Sequence, residues 1–268
     1  MDGEAIWPSG RTSAACFTFD FDAEEVWIGD DPRNSDRPGV LSQGTYGARV
    51  GVPELLTLLG RHEIRATFFV PGRVAERHPS RVQELIAAGH EVAHHGYTHR
   101  SPTELGEGGE EEELLQGLRV LRRLGADVVG YRSPSWEITP RTLALLAEHG
   151  LGYSSNLMDD IRPYRHRDLD VVELPVNWML DDAAHFWFDA ATWTKKISTT
   201  EEVRSIWQEE FLGIRSRGGV FVLTMHPQII GRPSRLQLLD DFVAFVRGHS
   251  DVLVATAAEL AALVRQAT

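Results

Sequence analysis

A single cysteine, Cys16, stands among 268 residues, so the chain has no internal disulfide and does not advertise an oxidising compartment. Cationic residues are scarce as well: 27 Lys and Arg against 39 Asp and Glu leave a net charge of -12, with no basic block to offset it. A nucleic-acid backbone or an anionic membrane surface would be repelled, which argues against both as partners. No apolar run approaches the ~18 residues that span a bilayer. The first eleven residues lack the basic start and apolar stretch of a secretory leader, so the expected location is the cytoplasm. No internal repeat is evident.

What remains is ordinary globular composition, 42% hydrophobic and 25% charged, on a chain long enough to bury a large core. Residues 1–268 are read as a single domain, because α/β barrels of this length commonly form one. Short apolar runs predict strands at 14–22, 66–70, 91–95, 128–131, 151–154, 171–174, 219–225 and 252–255. Amphipathic stretches between them predict helices at 52–61, 80–88, 110–124, 140–149, 201–217, 236–247 and 257–266. Thr139-Pro140 reads as an N-cap with proline in the first helical position, and Thr200 precedes two glutamates suited to a helix start. The acidic run 110–113 reads as a solvated first turn. Such alternation predicts an α/β fold of parallel strands and crossover helices, and about eight strands favour a barrel over a doubly wound sheet. Region 155–199 breaks the rhythm with long loops rich in aromatics, including Trp178, Trp187 and Trp193.

In Thr18-Phe19-Asp20-Phe21-Asp22, a strand period of two puts Phe17, Phe19 and Phe21 on one face and Thr18, Asp20 and Asp22 on the other. The two aspartates then sit ~6.6 Å apart at ~3.3 Å rise per residue, close enough to serve one site. A buried pair of like charges needs a cation nearby. The stretch 90–99 supplies His90, His94, His95 and His99. If 91–95 is a strand, His94 and His95 face opposite ways, and Gly96 lets the chain turn so that His99 returns beside His95. His95 and His99 are therefore the predicted pair. Two imidazoles and one carboxylate leave coordination positions free, as a catalytic metal site requires and a structural zinc site does not.

Two further strand ends carry chemistry. Arg132, in Gly130-Tyr131-Arg132-Ser133-Pro134-Ser135-Trp136, could grip a carboxylate in a two-pronged contact, with Pro134 and Trp136 shaping a pocket wall. His226 follows the buried run 220–225 and precedes Pro227, which keeps it from entering a helix at once; a general acid or base and a solvent-facing loop histidine are equal readings there. Collectively, Asp20, Asp22, His95, His99, Arg132 and His226 fall at or just after the C-terminal ends of separate strands, the edge where sites of parallel α/β folds assemble.

These motifs, in this order through the whole chain, resemble the polysaccharide deacetylase superfamily, carbohydrate esterase family 4. The carrying residues are Thr18-Phe19-Asp20-Phe21-Asp22, His95-Gly96-Tyr97-Thr98-His99, Arg132-Ser133-Pro134 and Leu223-Thr224-Met225-His226. The resemblance implies a distorted (β/α) barrel forming one catalytic domain. It also implies a divalent metal, zinc first, on Asp22, His95 and His99. Asp20 is then the general base, Arg132 its orienting partner and His226 the general acid. Pro175-Val176-Asn177-Trp178-Met179-Leu180-Asp181-Asp182 resembles the motif whose aspartate tunes the acid histidine, and either Asp181 or Asp182 matches it. Asp-Phe-Asp-Ala-Glu and His-Gly-Tyr-Thr-His replace the common adjacent aspartates and the usual Ser or Thr. They resemble the subgroup of an intracellular-type peptidoglycan deacetylase, cyclic imide hydrolases and metal-independent allantoinases.

The implied reaction is metal-dependent hydrolysis of a non-peptide carbon–nitrogen bond, either deacylation of an N-acyl amino sugar or opening of a cyclic imide or ureide. Without a leader, the small ring fits better than an exported polymer. Trp136 is a candidate substrate residue, and Trp178, Trp187 and Trp193 could stack on either substrate or make core and subunit contacts. The family likeness also implies a homo-oligomer. Three alternatives remain: a metal-independent allantoinase-like hydrolase, a non-haem iron oxygenase using the same three ligands, and a carbohydrate-binding protein without turnover.

Overall fold

The computed structural model describes residues 6–106, 108–188 and 196–267. Among them the strands are β1 (Ser13–Asp20), β2 (Thr67–Val70), β3 (Glu91–His94), β4 (Gly130–Tyr131), β5 (Tyr153–Ser154), β6 (Tyr164–Arg165), β7 (Val172–Glu173), β8 (Val220–Met225) and β9 (Val252–Val254). They form one sheet in the order β6-β7-β5-β4-β3-β2-β1-β8, with β9 paired to the start of β1. Every pairing is parallel except that of β6 with β7. The sheet curls into a distorted (β/α) barrel, as the alternation predicts.

The helices are α1 (Glu25–Asp30), α2 (Pro38–Tyr46), α3 (Val52–Arg61), α4 (Gly72–Arg77), α5 (Pro79–Ala87), α6 (Gly109–Arg123), α7 (Thr142–Glu148), α8 (Asp182–Phe186), α9 (Thr200–Arg215), α10 (Pro227–Ile230), α11 (Pro233–Arg247) and α12 (Ala257–Ala267). The seven predicted helices correspond to α3, α5, α6, α7, α9, α11 and α12. Two starts differ from expectation. Thr139 does not open α7; its hydroxyl accepts the Arg141 N–H in a local turn, and the helix begins three residues later at Thr142. Thr199, not Thr200, caps α9, through a reciprocal capping box with Glu202.

Strand alternation sorts the sheet into two faces. Phe17, Phe19 and Phe21 join Phe68, Val70, Phe221, Leu223 and Phe242 in the larger cluster beneath the outer helices. Burying each such phenylalanine is worth roughly 1.5–3 kcal/mol. Cys16, Phe69, Ala93, Val220 and Val222 point the other way, onto Leu260, Ala261 and Val264 of α12. The start of α12 is tied to the N-terminal edge of the sheet, where Thr67 Oγ1 accepts the Ala257 N–H at 2.8 Å and Glu91 accepts the Ala258 N–H at 3.0 Å. One end of the barrel interior is therefore packed for stability, which leaves the C-terminal edge for chemistry.

The region 155–199 has more structure than its weak periodicity suggests. It contains the antiparallel pair β6–β7, a short 3-10 turn at Trp178–Leu180, and α8. Residues 189–195, including Trp193, lie outside the described part of the chain.

Candidate metal centre and active site

Asp20 is the last residue of β1, His95 follows β3, Arg132 follows β4 and His226 follows β8, so the parallel sheet delivers all four to one edge. Asp22 sits two residues beyond β1. Its Oδ1 lies 3.4 Å from His95 Nε2 and 3.5 Å from His99 Nε2. The three donor atoms all lie within 4.8 Å of one another. His94, by contrast, turns away and contacts the Leu114 carbonyl of α6 at 3.0 Å, as strand alternation requires. His90 is also remote from the three, its Nδ1 accepting the Ala66 N–H at 3.2 Å.

These residues fit a divalent cation. Both Asp22 oxygens are buried with no aligned hydrogen-bond donor, a costly state for a carboxylate unless a cation faces it. Burial drives the Asp22 carboxyl well above its ordinary range, and Asp20 and Asp181 push it further against the pull of His226. His95 Nδ1 meets the Arg132 carbonyl at 2.7 Å. A carbonyl only accepts, so Nδ1 carries the proton and Nε2 turns its lone pair towards Asp22. Burial holds both His95 and His99 below the usual imidazole range, hence neutral, the form that ligates metals. Reaching this position puts His99 at φ 59°, a left-handed conformation worth about 1–2 kcal/mol of strain, after a turn at Gly96 with φ 74°.

Beside this centre stand two differently tuned groups. Burial alone would raise the Asp20 carboxyl, but the Arg132 guanidinium at 2.7 Å, with His226, outweighs it and holds the group below its ordinary range. Arg132 makes a single contact with Asp20 rather than the predicted two-pronged grip. Its second nitrogen bonds Ser155 Oγ at 2.9 Å, and the first also reaches Thr18 Oγ1 at 2.8 Å. Fully buried, the guanidinium lies 4.1 Å from the Phe69 ring centroid, which packs it from the barrel interior.

His226 is governed by Asp182. Oδ1 lies 2.6 Å from His226 Nδ1, and Oδ2 accepts the His226 backbone N–H at 3.0 Å. Burial disfavours the imidazolium, yet Asp182 and Asp181 override that and raise His226 well above its usual range. Asp181 is 4.0 Å from Nδ1 and caps α8 through the Ala183 N–H, with burial pushing its carboxyl up to about 6. The structure thus separates the two aspartates that the sequence reading leaves open.

Asp20, Asp22, His95, His99, Asp181 and His226 line a cavity of about 180 Å³ walled by Trp136, Trp178 and Trp187. Pro134, expected in that wall, is buried beside Gly96 instead. Trp187 stacks on Trp27 at 5.1 Å between ring centroids, and Trp136 lies 4.4 Å from Trp178.

Known proteins share this fold. A family model described as Polysaccharide deacetylase matches residues 44–154. A candidate polysaccharide deacetylase of solved structure from Mycobacterium smegmatis is 43% identical, covering 97% of this chain and 92% of that one, with a TM-score of 0.94. The chain belongs to the polysaccharide deacetylase family. The peptidoglycan deacetylase of Helicobacter pylori is 29% identical over 272 residues, 90% of this chain and 92% of that protein. An allantoinase structure, 22% identical over 99% of this chain and 94% of its own, shares the fold with a TM-score of 0.85. Polysaccharide deacetylases are hydrolases of non-peptide carbon–nitrogen bonds and generally depend on a metal.

Sequence reasoning overlooked four supporting side chains. Thr18 and Ser155 hold Arg132, and both stand where strand alternation or the strand-end rule could have pointed. Glu113 belongs to the run read as solvated, but its carboxylate accepts bonds from Tyr97 and Thr98, while Glu110 accepts from Thr139 and Thr142. Their spacing of three places both on the inward face of α6, which is why the solvated reading fails for them.

Proposed function

We propose that residues 1–268 form one catalytic domain of a zinc-dependent deacylase that removes the acyl group from an N-acylated amino sugar, acting as a homo-oligomer. The supporting observation is the meeting of two opposite proton carriers, ionised Asp20 and Asp182-bound His226, on either side of Asp22, His95 and His99. A carbohydrate-binding protein has no use for such a pair, and an oxygenase needs neither.

Zinc held by Asp22, His95 and His99 supplies a Lewis acid that acidifies water and steadies charge on the amide oxygen. Asp20, oriented by Arg132, takes the proton from the attacking water. His226 keeps its Nδ1 on Asp182 and presents Nε2 to the cavity, where it protonates the departing nitrogen. Trp136 and Trp178 offer flat apolar faces to a sugar ring, and the exposed Trp178 and Met179 offer surface for a second copy. The amino-sugar assignment draws on the names of the relatives.

The test is hydrolysis by the zinc-loaded protein over N-acetylated chito-oligosaccharides, peptidoglycan fragments, hydantoins, succinimide-type rings and allantoin. Acetate release from an amino sugar supports the proposal. Turnover of the rings alone moves the substrate to cyclic imides or ureides, and full activity in metal-free protein overturns the zinc reading.

A further inference from the structure

We infer that Glu113 is a positioning residue of the metal site: from α6 it clamps the loop 97–99 and so sets His99 against Asp22 and His95. The inference rests on the reading of those three residues as metal ligands. His99 has the longest tether of the three. Asp22 and His95 stand within two residues of a strand end, whereas His99 comes five residues after His94, beyond the turn at Gly96. Its own φ of 59° is one that the local backbone does not favour.

One carboxylate satisfies three donors of that loop. Glu113 Oε2 accepts the backbone N–H of Tyr97 at 2.9 Å and of Thr98 at 2.7 Å, and Oε1 accepts the Thr98 hydroxyl at 2.7 Å. On the carbonyl side, the N–H groups of Gly72 and Arg73 at the start of α4 donate to Gly96 and Tyr97 at 3.0 and 2.9 Å. From α1, Gly29 approaches so closely that a Cβ there would sit 2.6 Å from the Thr98 carbonyl oxygen. The Gly96 and Tyr97 carbonyls and the Tyr97 and Thr98 donors are thus engaged from separate helices, while the His99 side chain faces Asp22.

Loss of the Glu113 carboxylate strips two backbone N–H groups of their partner. The loop then relaxes away from the conformation that presents His99. Metal binding must reorder it, and affinity falls while the fold persists. A glutamine at this position keeps an oxygen for both N–H groups, so the clamp predicts rescue by that substitution.

The experiment measures zinc affinity by chelator competition, and the visible spectrum of the cobalt-substituted protein, for wild type, Glu113→Ala, Glu113→Gln and Leu121→Ala. Glu113→Ala should weaken zinc binding by roughly 10–100-fold and change the cobalt spectrum, with Glu113→Gln within about threefold of wild type. Leu121→Ala, in the core of the same helix, should lower thermal stability yet keep affinity and spectrum. Wild-type affinity in Glu113→Ala, an equal loss in Leu121→Ala, or failure of the glutamine rescue overturns the clamp. Should Glu113→Ala not fold, Thr98→Val decides, since it removes the hydroxyl donor alone: several-fold weaker zinc binding supports the clamp and unchanged binding refutes it. Wild-type protein that takes up neither ion refutes the metal reading itself, a result distinct from tight wild-type binding with indifferent variants.

Discussion

Asp182 grips His226 twice, its Oδ1 at 2.6 Å from the ring Nδ1 and its Oδ2 at 3.0 Å from the backbone nitrogen, whereas neighbouring Asp181 stands 4.0 Å from the ring. Adjacent carboxylates therefore carry different duties. Asp182→Asn should lower kcat by roughly 10–100-fold, as loss of an imidazole's orienting partner does elsewhere, and Asp181→Asn should leave kcat within about tenfold of wild type. Steady-state kinetics on both variants checks the order; a larger kcat loss in Asp181→Asn would assign the histidine to the wrong aspartate.

Asp20 is buried and ionised against Arg132, yet it is not one of the three clustered donors. Asp20→Asn should cost roughly 10² to 10⁴ in kcat while metal content stays at one ion per chain. Metal analysis beside the kinetics separates the two roles, because simultaneous loss of the ion would make Asp20 a ligand rather than a base.

Asp22 carries the opposite signature, a buried carboxylate with no aligned donor. In metal-free protein, Asp22→Asn replaces a buried carboxyl that burial disfavours in its charged form and that has no aligned donor, and should match or exceed wild-type stability by about 1 kcal/mol. With zinc at about 100 times its Kd, wild type should gain about 2.7 kcal/mol and the variant nothing. Thermal unfolding of both proteins with and without zinc reads all four numbers.

The strand pattern made much of this site legible. A period of two is a local property, so the shared face of Asp20 and Asp22, and the opposite directions of His94 and His95, followed from spacing, and the turn at Gly96 chose His95. Asp181 and Asp182 resisted the same treatment because a five-residue helix, α8, begins between them and offers no period to read. Glu113 was hidden for another reason. A charge near the start of a helix looks the same in sequence whether it faces water or the backbone of a loop sixteen residues away. Short helices such as α1, α4 and α10 escaped notice as well, since one or two turns carry too few apolar positions to count.

Acid stability should depend on His90, set apart from the metal centre. Burial, with Arg65 nearby, lowers its pKa from 6.5 to about 4, and its Nδ1 accepts the Ala66 N–H. Between those values the unfolded chain binds more protons than the folded one, so stability is retained above pH 6.5 and falls as pH drops towards 4. The full span corresponds to about 3 kcal/mol. His90→Asn keeps an acceptor without the titration and should flatten this part of the denaturation profile; an unchanged slope between the two limits would assign the acid sensitivity to other groups.

The central claim is that Asp22, His95 and His99 share one ion. An anomalous difference map from zinc-loaded crystals addresses it directly. The account predicts a single peak with two imidazole nitrogens and one Asp22 oxygen about 2.0–2.2 Å away. A peak on Asp181, Asp182 and His226 instead, or no peak among the three proposed ligands, would contradict it.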